Sequence, residues 1–212
     1  MGKEFIELFE NWADSYDESV TGQDPEYKDV FLHYERILDE VASRSLGHVL
    51  EFGTGTGNLT AKLMGRGLKV TGVEPSPAMR KIAAEKLKHK ADIIDGDFLK
   101  FPIYPYNTIV STYAFHHLTD EEKAEAFHTY GQFLAPGGKI VFADTMYESE
   151  EAYKEAIQDA LNKGFLNLAE DLQREYYTTI PILEKIATSK GFSVTFNQCN
   201  NFVWIMECVK ES

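Results

Sequence analysis

The chain has 212 residues, 43% of them hydrophobic, and a formal net charge of −13. That content suffices for one substantial core, while the acidic balance repels nucleic-acid backbones and anionic membrane surfaces. No apolar run approaches the roughly 20 residues that span a bilayer, and residues 1–12, with acids scattered through them, lack the basic-then-apolar order of a signal peptide. A cytoplasmic protein that binds neither nucleic acid nor membrane is expected, as a monomer or homodimer.

The first 45 residues read as helices. Phe5, Leu8, Phe9 and Trp12 recur at helical spacing, and Tyr27, Val30, Phe31, Tyr34, Ile37, Leu38 and Val41 do so again after a breaker at 21–25. From Gly47 the pattern changes. Residues 48–52 form a short apolar strand ending in a glycine-rich turn; 58–65 is helical and 68–73 a second strand. The helix over 77–88 starts on Pro77, where a missing N–H does no harm. Strands follow at 91–95 and 108–113. The helix over 120–133 is capped by Thr119 or Asp120, and the turn Ala135-Pro136-Gly137-Gly138 leads into a fifth strand, 139–143. This alternation predicts a parallel sheet with both faces covered.

After Asp144 the alternation stops. Residues 149–175 are acidic, helical and rich in Tyr, Phe and Leu, 179–190 is another helix, and a final hairpin pairs 193–199 with 202–209. The 149–178 stretch reads as an insertion over the carboxyl ends of the strands, where open α/β sheets bind ligands. With no repeat or linker, one domain over 1–212 is expected, with a helical cap at 1–45 and this insertion. A two-residue turn at Asn200-Asn201 would pair Cys199 with Phe202 and Cys208 with Ser193, at opposite ends of the ladder. The two cysteines then form no disulfide and read as buried small apolar residues. Neither they nor the 149–178 region offer metal-ligand spacing, so no metal is expected.

The most informative segment is Glu51-Phe52-Gly53-Thr54-Gly55-Thr56-Gly57, which leaves a strand and opens a helix. Glycines there permit a tight turn and let a ligand approach the backbone. Glu74 ends the next strand, where a carboxylate can accept hydrogen bonds from both hydroxyls of a ribose. Dinucleotide sites favour G-x-G-x-x-G and a helix N-terminus aimed at a pyrophosphate. Here the order is Gly53-x-Gly55-x-Gly57 beside Glu51, which suits a ligand with a cationic amino group and no phosphate.

These motifs resemble the class I S-adenosylmethionine (SAM)-dependent methyltransferases, from about Trp12 to the C-terminus. Glu51–Gly57 is similar to the first family motif and Glu74 to the second. Asp95-Gly96-Asp97-Phe98 is similar to the adenine-edge motif, residues 109–118 to the fourth-strand region, and residues 134–141 to the turn into strand five. Phe9 to Asp17 resembles the helical cap of small bacterial YrrT-like members. Tyr106-Asn107 departs from a frequent Phe-Asp and leaves the cofactor reading intact. The resemblance implies a doubly wound, mostly parallel seven-stranded α/β sheet (Rossmann-like methyltransferase fold) with a C-terminal antiparallel hairpin, and an enzyme that converts SAM to S-adenosylhomocysteine (SAH). It implies cofactor contacts from Tyr16, Glu51, Gly53, Thr54, Gly55 and Gly57, from Glu74 at the ribose, from Met79, Asp97 and Phe98 at the adenine, and from Pro75 and Ser111.

Methyl transfer is an in-line displacement, so a base is needed only if the acceptor must lose a proton. His116 and His117, after strand four, are candidates to act as base or to orient an acceptor. Tyr16, Trp12 and Tyr113 are placed to wall a sulfonium by cation–π attraction, and Tyr176-Tyr177-Thr178 to line the acceptor pocket. No N-P-P-aromatic motif follows strand four and no recognition domain is present, so the acceptor is expected to be a small molecule. The alternatives are an NAD(P)-dependent oxidoreductase and a SAM-binding sensor without turnover.

Overall fold

A computed structural model describes residues 17, 20 and 22–212. The aromatic residues Phe5, Phe9, Trp12 and Tyr16 of the N-terminal cap lie outside the described residues. Helix α1 is Tyr34–Arg44, and its buried face is the expected Tyr34, Ile37, Leu38 and Val41. It begins later than the apolar spacing predicts. Phe31 N–H reaches Tyr27 C=O in a single turn, and His33 then takes the left-handed conformation (φ +68°), which a continuous α-helix excludes.

The alternating elements follow: β1 (His48–Phe52), α2 (Asn58–Gly65), β2 (Lys69–Val73), α3 (Pro77–Lys86), β3 (Asp92–Ile94), β4 (Thr108–Thr112), a 3₁₀ turn (Phe115–His117), α4 (Asp120–Phe133) and β5 (Lys139–Tyr147). Local chemistry accounts for several boundaries. Ser76 caps α3 through Met79 N–H, and Thr119 with Glu122 forms a reciprocal capping box on α4. Next come α5 (Glu150–Asn162), α6 (Leu166–Arg174), β6 (Thr178–Thr179), α7 (Ile180–Ser189), β7 (Phe192–Gln198) and β8 (Val203–Lys210).

The sheet order is β3-β2-β1-β4-β5-β8-β7, with β1 to β5 parallel and β8 antiparallel to both β5 and β7. This is the doubly wound sheet with a terminal hairpin expected from the sequence, with the short β6 added beside the end of β5. Strand β5 runs on to Tyr147, beyond the expected 143, because β8 pairs with it as far as Thr145 and β6 takes over at Met146. Leu50, Phe52, Ile109 and Phe142 pack with α4 and α7 on one face; Val49, Val110 and Val141 pack with α1 and α2 on the other.

The insertion is two helices broken at Gly164 (φ +75°), with a small core of Leu168, Ala169 and Leu172 against Tyr147 at the end of β5. It is tied to the segment before α1: Glu26 accepts the N–H groups of Asn167 and Leu168 at 2.9 and 3.1 Å, capping α6 from a distance, and Tyr27 donates to Asp171. None of the described helices is long and apolar enough to cross a membrane.

The hairpin register differs by one residue from expectation: Val194, not Ser193, faces Cys208. The connection is wider than two residues because the Asn200 side-chain oxygen accepts from the N–H groups of both Phe202 and Val203, building the loop around itself. Cys208 is buried, whereas Cys199 in that loop is partly exposed rather than buried; both are free thiols.

Candidate active site at the carboxyl ends of the strands

The glycine turn follows β1 directly. Gly53 N–H bonds to Val73 C=O at 2.9 Å, so the parallel β1–β2 pair sets the turn beside Glu74. Gly53, Gly55 and Gly57 all have positive φ (+64°, +55°, +87°), a conformation that penalises side chains. A Cβ on Gly53 would stand 2.6 Å from the Ala114 Cβ, which explains the first glycine by packing alone. A Cβ on Gly55 would meet nothing nearer than Gly53 C=O at 4.0 Å, so the turn leaves open space above its middle glycine. This cradle fits an approaching ligand such as SAM.

Two buried carboxylates flank the turn. Glu51 accepts from Thr60 Oγ1 at 2.6 Å, and burial outweighs that bond and pushes its carboxyl up to about 8. Glu74 accepts from Gly55 N–H and Ser76 N–H, each at 2.9 Å. Burial raises its carboxyl above the usual range against the pull of those two donors. Thr54 Oγ1 and Ser111 Oγ are buried by the turn without a hydrogen-bond partner among the described residues.

The remaining residues expected at the cofactor separate. Met79 is buried in the first turn of α3, and Pro75 is half-buried, its C=O accepting from Arg80. Asp97 spends one carboxylate oxygen on its own turn, accepting from Leu99 N–H and Lys100 N–H at 2.8 and 2.9 Å. The Phe98 ring is core, stacked on Phe52 with centroids 4.9 Å apart.

Sequence reasoning did not single out Asp17. Its carboxylate accepts from Thr56 Oγ1 (2.6 Å), Asn58 Nδ2 (3.0 Å) and Lys86 Nζ (2.7 Å), so Asp17 bridges the glycine turn, the start of α2 and α3. Burial opposes its charge, but Lys86, Thr56 and Asn58 hold the carboxyl below its usual range.

The other half of the cleft is built on β4, β5 and the exit from the insertion. Tyr113, just past β4, has φ +54°, rare for an aromatic residue, and its ring packs against both Phe31 (5.2 Å) and Tyr34 (5.5 Å), which also touch each other. His116 is enclosed by two carboxylates: its Nδ1 is 2.6 Å from Asp144 Oδ1 and its Nε2 is 3.0 Å from Glu175 Oε2. Burial disfavours its charge, but those two anions prevail and lift it to about 10. The Tyr177 ring stacks on His116 at 4.8 Å and its hydroxyl donates to Glu175. His117 is buried with its ring centroid 4.2 Å from that of His116; burial first, and then the neighbouring cation, depress it to about 3.

Of the triplet 176–178, Tyr176 is exposed and serves through its backbone: its N–H donates to His116 C=O, and its C=O accepts from the buried Lys123. Tyr177 and Thr178 turn inward. Asp144 and Glu175 were missed in the sequence. Asp144 carried only the weak signal of an acid after a strand, and Glu175 carried none, because its partner lies in a distant segment.

Comparison with known proteins agrees with this architecture. Residues 49–138 match a family described as "Methyltransferase domain". The chain is 58% identical, over 100% of both chains, to an uncharacterized methyltransferase of Geobacillus kaustophilus (strain HTA426). It is 55% identical to the uncharacterized methyltransferase YrrT of Bacillus subtilis (strain 168), covering 99% of this chain and 100% of that protein. The solved structure of magnesium protoporphyrin IX methyltransferase (ChlM) from Synechocystis PCC 6803 with bound SAH is similar with a TM-score of 0.69 at 16% identity, covering 96% of this chain and 99% of that one.

Proposed function

This chain belongs to the SAM-dependent methyltransferases, and on that premise we propose that its acceptor is a small polar molecule seated between the ends of β4 and β5 and the 149–178 insertion. SAM supplies an activated methyl group and leaves as SAH. The chain's own residues bind, orient and keep water out. Glu51, Gly53, Thr54, Gly55 and Gly57 would hold the methionyl part, Glu74 and Pro75 the ribose, and Met79, Asp97 and the Phe98 backbone the adenine. Ser111 borders the turn from β4. Tyr16 would close the site from the N-terminal side.

One observation carries the acceptor reading. The hydroxyls of Tyr113, Tyr147 and Thr178 are buried and have no hydrogen-bond partner among the described residues. They stand just past β4, at the end of β5 and in the adjoining β6. Leaving a buried hydroxyl unpaired costs about 1–3 kcal/mol. Three at the carboxyl ends of neighbouring strands support a ligand that supplies the missing partners. The acidic surface argues further against a nucleic-acid acceptor.

His116 has both ring nitrogens engaged by carboxylates, which suits orientation better than proton abstraction. The test is incubation with methyl-labelled SAM and pools of thiols, amines, hydroxy compounds and carboxylates, followed by size separation. Label in a small product together with SAH release is expected. Label confined to macromolecules, or tight SAM binding without turnover on any pool, would overturn the reading.

A further inference from the structure

Two buried carboxylates and two adjacent imidazoles meet at one point of the fold. Consecutive residues of a 3₁₀ turn normally diverge by about a third of a turn, yet His116 and His117 bring their rings to 4.2 Å. One ligand atom each from His116, His117 and Glu175 lies within 4.8 Å of the others. Asp144 sits on the far side of the His116 ring, 2.6 Å from Nδ1, and its carboxylate is itself anchored by the N–H groups of His116 and Thr145. A carboxylate on the outer nitrogen fixes the tautomer and turns Nε2 toward the cluster, the support that metal-ligating histidines usually have.

Asp144 and Glu175 are both buried and approach opposite nitrogens of the same imidazole, at 2.6 and 3.0 Å, so two carboxylates and two rings share one enclosed point of the fold.

We propose that His116 Nε2, a ring nitrogen of His117 and the Glu175 carboxylate form a binding site for a divalent transition-metal ion, with Zn2+ best matched to two imidazoles and one carboxylate. Asp144 is the positioning residue. The site joins the end of β4 to the exit of the insertion. Three protein ligands leave a fourth position of a tetrahedral ion for water or for an acceptor heteroatom. The sequence predicts no metal because its ligands come from segments far apart in the chain. Only the use of the fourth position rests on the small-molecule reading, and metal binding is measured without turnover, so either idea can fail alone.

The experiment uses the full chain, stripped with chelator and dialysed against Zn2+ or Co2+. Metal analysis should give about one equivalent, and Co2+ should show the intense visible bands of tetrahedral coordination. Glu175→Gln and His117→Asn should abolish those bands, and Asp144→Asn should weaken Zn2+ affinity by about 10–100-fold. Nitrogen-15 NMR of the histidines provides a readout on the unaltered chain: with Zn2+ present, His116 should carry a proton on Nδ1 only. Protons on both nitrogens under saturating Zn2+, or metal content equal in wild type and Glu175→Gln, would overturn the site.

Discussion

Glu74 and Gly55 are joined by a 2.9 Å hydrogen bond from the glycine N–H to the carboxylate, across the gap between the ends of β1 and β2. The bond presents the acid beside the open space over the turn. Replacing Glu74 by Ala should weaken SAM binding by about 2–4 kcal/mol, through loss of charge-assisted hydrogen bonds. Isothermal titration checks this, with circular dichroism to show that the chain still folds. Unaltered affinity would place the ribose elsewhere.

The first two glycines of the turn should fail differently. At Gly53 an Ala side chain collides with Ala114 at 2.6 Å in addition to the positive-φ penalty that both positions carry, so Gly53→Ala should lower folding stability by about 2–5 kcal/mol. Gly55→Val carries the positive-φ penalty of about 1–2 kcal/mol while its Cβ meets nothing nearer than 4.0 Å, and its main effect should fall on cofactor affinity. Thermal unfolding and SAM titration of both variants separate the two. Wild-type affinity in Gly55→Val would mean that the cofactor does not cross that glycine.

Glu51 makes stability depend on pH. Its carboxyl titrates at about 8 in the fold against an ordinary 4.5. The contribution of the protonated form is therefore complete below 4.5 and is lost as pH rises through 8. Glu51→Gln stays neutral, so its stability relative to wild type should grow across that window and level off above it. Urea titrations along a pH series test the trend. An ammonium held against Glu51 favours the ionised form, so SAM binding near neutral pH should also release protons, seen as buffer-dependent heats. A flat pH profile would show that Glu51 is ionised throughout.

Asn200 holds the terminal hairpin to the segment before α1. Its oxygen accepts from Phe202 and Val203, and its amide donates to Val30 C=O and Leu32 C=O at 3.1 and 2.9 Å. Asn200→Ala removes all four bonds and should cost about 2–4 kcal/mol. Chemical denaturation measures it; a loss below about 0.5 kcal/mol would mean that water replaces the side chain.

The sequence by itself determined the alternating elements of residues 48–143, a cap on α4 at Thr119 or Asp120, which the structure resolves to Thr119, and the placing of a glycine turn and Glu74 at one site. Those features rest on short-range causes: apolar periodicity, positive-φ glycines, caps, and a parallel pairing in which consecutive strands become neighbours. Local rules fell short where an irregular turn interrupts the pattern. The start of α1 depends on the turn at His33, and the hairpin register on the Asn200 side chain. The pairing of His116 with Asp144 and Glu175 was decided by tertiary structure alone. Asp144 arrives because β5 lies parallel to β4, and Glu175 because β6 docks beside the end of β5. No periodicity encodes such a meeting, because its energy comes from burying opposite charges together once the sheet and the insertion have closed.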